Sequence, residues 1–239
     1  MALAWAYLVH LDRQMSASMS NARMMAEMGM AMNARWTPAD AGFTFAMWTV
    51  MMIGMMAGSV APMLLLFARV QISRGQRGAS LAVLMFGLGY LAVWTGFSAL
   101  ATCAQWALHQ AALLSPAMAV ANPRLAGVVL LAAGAYQLTP WKGKCLTHCR
   151  TPLGFLMANW RDGISGAFLM GARHGAFCLG CCWALMCVLF AMGVMNLVWV
   201  AALAGFVLLE KIGPAGVLVA RLAGVAMAAF GVLRFAAIA

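Results

Sequence analysis

Soft metal-ligand side chains crowd into two short segments of an otherwise apolar chain: Cys145-Leu-Thr-His148-Cys149-Arg150 and Arg173-His174-Gly-Ala-Phe-Cys178-Leu-Gly-Cys181-Cys182. Five of the seven cysteines and two of the four histidines lie in these two segments. Thiol and imidazole groups are costly to leave unsatisfied in apolar surroundings. Thiolates select Cu(I), Zn(II) and iron–sulfur chemistry, and imidazole suits zinc and copper. On a helix, His174, Cys178, Cys181 and Cys182 fall at i, i+4, i+7 and i+8, which is one face. Cys187 falls on another face and reads as packing. Cys145 and Cys149 are also spaced i, i+4, with His148 beside the second. Five sulfurs and two nitrogens exceed one tetrahedral zinc site of about four ligands. A polynuclear Cu(I) site or a subset of these donors is therefore expected. The bland alternative is that free cysteines pack as small hydrophobes. A redox alternative is a Cys178-Leu-Gly-Cys181 thiol pair, resolved by Cys145 or Cys149.

A second constellation is thioether-rich. Met47, Met51 and Met55 form one i, i+4, i+8 stripe, and Met52 and Met56 another. Thioethers tolerate Cu(I) and hold Zn(II) poorly, although Met is also an adaptable core filler. With 22 methionines in 239 residues, copper is the favoured metal and zinc the alternative. Gly58, Ser59 and Pro62 are expected to loosen or kink this helix. Charges at Trp160-Arg161-Asp162, Arg173 and Glu210-Lys211 read as ion pairs at helix ends, with Arg173, Arg161 or Arg221 as partners for Glu210.

The elements that carry these residues are apolar helices. The chain is 65% hydrophobic and 8% charged, with mean hydropathy +0.92. Apolar runs of about 18 or more residues read as membrane helices. They are expected at 42–67, 79–100 with a continuation to 114, 125–138, 171–192, 197–209 and 215–234. The reading is an all-α, polytopic bundle of about six membrane helices in a single integral membrane domain over 1–239. Its bundle covers 43–235 and is preceded by an interfacial or partial helix. Residues 12–40 form a Met-rich amphipathic segment suited to the membrane interface. The stretch 142–166 is polar, and Thr139-Pro140 is expected to break the chain ahead of it.

Net charge is +10, but the basic residues sit in short loops between apolar runs. They set topology and do not imply nucleic acid. Lys/Arg counting places Arg69, Arg74, Arg77, Lys142, Lys144, Arg150, Arg161 and Lys211 on the cytoplasmic side. The thiol segments then lie near that face, where cysteines stay reduced, and the Met stripe lies toward the outer half. Gly-rich phosphate loops, nucleophile elbows and paired carboxylates are missing from the sequence, so hydrolytic and acid–base enzyme classes find no support.

A further set of residues carries a resemblance. His148-Cys149-Arg150-Thr-Pro152-Leu-Gly154, Trp160-Arg161-Asp162-Gly163, Arg173-His174-Gly175, Cys178-Leu-Gly-Cys181-Cys182-Trp183, Gly193-Val-Met195-Asn196 and Glu210-Lys211 form one block. Trp48, Met51-Met52, Met55-Met56, Ser59 and Pro62 form the other. Over about 43–235 the chain resembles a bacterial family of unknown function described as predicted metal-binding integral membrane proteins. The resemblance implies an all-helical protein of the bacterial inner membrane with Cys, His and Met as ligands. Its expected partners are the lipid bilayer, a metal ion, and a membrane or metallochaperone protein. The alternatives are a thiol-disulfide oxidoreductase and an accessory subunit of a larger membrane metalloenzyme.

Overall fold

The computed structural model describes residues 5–10, 13, 36–75, 78–111, 113–114, 119–120, 122–194 and 196–236. Most of the Met-rich 12–40 segment lies outside the described residues. From Pro38 on, the helices among the described residues are α1 (Pro38–Ser73), α2 (Ala79–Gln110), α3 (Pro123–Gln137), α4 (Pro140–Arg150), α5 (Pro152–Asn159), α6 (Gly163–Met192), α7 (Leu197–Ile212) and α8 (Gly216–Ala236). A helical turn at 5–10 packs Leu8 and Trp5 onto the core. Among the described residues there is no strand, only an isolated bridge between Leu114 and Val120.

Four helices begin with proline just after a polar or β-configured residue. Thr37 caps α1 in a capping box with Asp40, its own N–H donating to Asp40 Oδ2 at 2.8 Å. Asn122 caps α3, and Thr139 caps α4 by accepting from the Lys142 N–H. Proline at the first helical position loses nothing, because that N–H has no helical partner anyway. This corrects the expectation for 142–166. Pro140 and Pro152 start helices and do not end the ordered structure. The helix expected from 171 also begins earlier, at Gly163.

Among the described residues, four helices are long and apolar enough to cross a membrane: Pro38–Ser73, Ala79–Gln110, Gly163–Met192 and Gly216–Phe235. The expected α3 and α7 exist but have only 15 and 16 residues. At 1.5 Å per residue each spans about 23–24 Å, short of a hydrocarbon core of about 30 Å. Helix α6 is central and packs on α2, α3 and α4; α1 packs on α2 and α7, and α3 on α8. Two contacts are close enough to exclude side chains. Gly171 of α6 lies against the Phe86 carbonyl of α2, and Gly134 of α3 against the backbone at Gly224 and Ala228 of α8. Of the small residues on the last two helices, Gly224 therefore serves a contact within the chain, whereas a Cβ at Gly205 would meet nothing within 4 Å. Small residues let apolar helices approach closely where hydrophobic burial alone drives little association.

The short α7 ends inside the bundle. Glu210 is 1% exposed and receives Lys142 Nζ at 2.7 and 2.8 Å and Gln137 Nε2 at 3.2 Å. The expected arginine partners are thus replaced by Lys142 of α4. Glu210 lies near the end of α7 and faces Lys142 in the first turn of the shorter α4. Removing one member of a buried pair strands the other. Lys142→Met and Glu210→Leu should each destabilise the protein by roughly 3–5 kcal/mol, and the double variant should recover most of that loss. Thermal denaturation of the three variants in detergent checks this.

Candidate metal centre

Helix α6 carries His174, Cys178, Cys181 and Cys182 on its buried face, as their spacing requires. The capped, proline-started α4 lays Cys145 and Cys149 against it. Cys149 Sγ lies 3.9 Å from Cys181 Sγ. Two thiolates sharing a tetrahedral ion ~2.3 Å from each would sit about 3.8 Å apart. The thiols of Cys181 and Cys182 both turn back to the Cys178 carbonyl, at 3.1 and 2.8 Å. Cys178 Sγ is held by Lys211 Nζ at 2.9 Å and Tyr90 Oη at 3.0 Å. Four sulfurs from two helices therefore gather at one level of the bundle. Among the described residues, no three Cys, His, Asp or Glu groups are already closed around one point. Side-chain rotation must release the back-bonded thiols before a metal binds.

The other expected donors are placed differently. Cys145 lies over Gly180, where an added Cβ would come within 2.8 Å of its sulfur. His148 gives Nδ1 to the Lys144 carbonyl at 2.9 Å and stacks flat on Phe177 at 4.2 Å, on the outside of α4. His174 is buried among the rings of Phe86, Tyr90 and Phe155, and its Nδ1 has no hydrogen-bond partner. Cys187 lines an apolar groove with Trp183 and Phe190, away from the thiols.

The methionine stripe is buried throughout: Met47, Met51, Met52, Met55 and Met56 share one core cluster with Cys178, Cys181 and Cys182. The link is Ser59, one turn beyond Met56. Its Oγ accepts from Lys211 Nζ at 3.2 Å and lies 3.9 Å from Met56 Sδ. Met47 sits nine residues back, about 14 Å farther along the axis. The Met and Cys sets, expected in opposite halves, thus meet at Met56. Because α6 begins at Gly163, Cys178 lies about 22 Å from its start, at mid-helix and not near an end. A cleft of about 230 Å³ between α1 and α2 is lined by Met52, Met56, Tyr90 and Trp94, so it abuts the site through Tyr90.

Sequence reading missed Lys211 and Tyr90 as partners of Cys178, and Lys142 as the partner of Glu210. No local signal marks Tyr90. The adjacent charges Glu210-Lys211 in an apolar run were the available hint, but their direction depends on where α7 stops.

Electrostatics sort the thiols on α4. Hydrogen bonding to Cys178 and Cys181, and then burial, hold the Cys149 thiol well above its ordinary value of 9.0. Burial, and after it the neighbouring Cys181, raise Cys145. A raised thiol stays protonated at neutral pH and reacts slowly, since the thiolate is the nucleophile.

Among the described residues, the chain is a helical bundle with four membrane-length apolar helices and a buried set of thiols beside thioethers. The chain belongs to the PpoB2 family, described as copper chaperone, whose model matches residues 45–234. That match covers nearly the same region as the resemblance read from the sequence, and it ties the chain to copper handling where that resemblance offered no function. No curated protein and no solved structure matches the chain.

At pH 8, alkylation of Cys149 in the folded protein should be at least about tenfold slower than in the unfolded chain. The gap should narrow as pH rises past 9.0, because the unfolded thiol then approaches full ionisation while the folded one, titrating higher, begins to follow. Mass-spectrometric counting of labelled Cys149 against time and pH measures it.

Proposed function

We propose that this chain is a multi-pass protein of a bacterial inner membrane that accepts Cu(I), holds it at Cys149, Cys178 and Cys181, and passes it to a partner protein. The observation that carries the reading is the 3.9 Å approach of Cys149 and Cys181 across two helices, beside buried Cys178. The copper-chaperone family supports the choice of metal. In this reading Met47, Met51, Met52, Met55 and Met56 offer weak, exchangeable thioether sites, and Met56 adjoins the thiols. Cys182, Cys145 and His174 are reserve donors at the rim of the thiol set, and His148 lies outside it. Copper is cargo here, and exchange between thioether and thiolate donors is the chemistry the chain supplies. Lys/Arg counting supports a cytoplasmic position for the α4 side of the molecule. All of 1–239 acts as one membrane domain.

Purified protein should bind Cu(I) in competition with a bicinchoninate probe. Cys149→Ser/Cys181→Ser should weaken that binding by about two orders of magnitude, roughly the loss of one thiolate pair from a soft site. Its thermal denaturation should stay near that of wild type. Equal Cu(I) affinity in the double variant sinks the assignment.

A thiol-disulfide oxidoreductase is the second reading, favoured by the same sulfur–sulfur approach. It uses Cys149 and Cys181 across helices in preference to the Cys178/Cys181 pair. Metal-free wild type showing two thiols masked until reductant is added would favour it.

A further inference from the structure

Lys211 is an unusual neighbour for a site that takes up a cation. The residue is 7% exposed, and its ammonium donates to Cys178 Sγ at 2.9 Å and Ser59 Oγ at 3.2 Å. The adjacent carboxylate is already engaged elsewhere: Glu210 is bound by Lys142 at 2.7 Å. A fixed positive charge therefore sits within a hydrogen bond of the sulfur cluster, shielded from water by α1, α2 and α6.

We propose that Lys211 is the residue that makes this site select a monovalent soft ion over a divalent one, an inference that rests on the copper reading above. The reason is charge. On any given set of thiolates, the Cu(I) complex is one unit more negative than the Zn(II) complex. When two of the three thiols ionise on binding and the third stays protonated, the Cu(I) ensemble carries −1, and Lys211 brings it to neutrality. The same two thiolates with Zn(II) are already neutral, and Lys211 leaves them with an uncompensated positive charge. Burying net charge is costly, and opposite charges a few ångströms apart attract strongly when water is excluded. The ammonium thus favours Cu(I) and disfavours Zn(II) with the same interaction. Ser59 is a positioning residue: its hydroxyl holds the ammonium beside Cys178 without cancelling its charge.

The test uses the full chain purified in detergent, with Cu(I) and Zn(II) affinities measured separately by competition with metal-specific chelating probes. Lys211→Met should lower the Cu(I):Zn(II) affinity ratio by about tenfold or more, as expected for removing one unit charge near the ion. Lys211→Arg, which keeps the charge, should stay within about threefold of wild type. Should the Met variant fail to fold, Ser59→Asp carries the test, because its carboxylate would neutralise the ammonium in place and lower the ratio in the same direction. A ratio unchanged in both variants, or equal losses for both metals, would make Lys211 merely structural and overturn the inference. Wild type that binds no Cu(I) would instead overturn the copper reading itself.

Discussion

Two adjacent charges at the end of a short helix organise this molecule. Consecutive helical residues point about 100° apart, so Glu210 and Lys211 cannot serve the same neighbour. Glu210 takes Lys142 of α4, with Gln137 of α3 as a second donor. Lys211 takes Cys178 of α6 and Ser59 of α1. Arg150, at the end of α4, also donates to the Glu210 carbonyl. A buried charge must be paired or hydrogen-bonded to persist. Satisfying both charges at once draws α1, α3, α4, α6 and α7 to a single level of the bundle. That level is where the thiols are.

The thiols inherit their placement from this arrangement. Cys178 faces Lys211 because α7 ends beside mid-α6. Cys149 reaches Cys181 because Lys142, less than two turns earlier on α4, anchors that helix to α7. The cysteines of α6 are meanwhile occupied with one another's backbone: both Cys181 and Cys182 donate to the Cys178 carbonyl. A site with its sulfurs gathered but turned inward costs little to hold and can open by side-chain rotation. Thioethers of α1 lie in the same core cluster, so the thiols and thioethers form one continuous region and not two separate ones.

His174 illustrates how burial can mislead or inform. Its position on the cysteine face made it a ligand candidate, and the face is right. Yet the ring is enclosed by Phe86, Tyr90 and Phe155. Its unpartnered Nδ1 is a polar atom held in apolar surroundings at a cost, and it lies one turn from Cys178. His148, by contrast, looked equivalent in sequence but spends its nitrogen on Lys144 and its ring on Phe177. Both neighbouring positions meet α6, but Cys149 meets its thiol Cys181 and His148 meets the ring of Phe177.

Apolar runs and helical spacing made the all-α architecture, the six longer helices and the shared face of Cys178, Cys181 and Cys182 legible in the sequence, because these depend on residues a few positions apart. The Pro-started helices α4 and α5 were missed, since proline reads equally as a stop or as a first turn until its cap is seen. Which charges pair was also hidden. Arg161, Arg173 and Arg221 were as plausible for Glu210 as Lys142, and the choice follows from the depth at which α7 ends. The meetings of Lys211 with Cys178 and with Ser59 join residues 33 and 152 positions apart. Local periodicity determines which side of a helix a donor occupies. Only the packed bundle, constrained by its buried charges, decides which donors face each other.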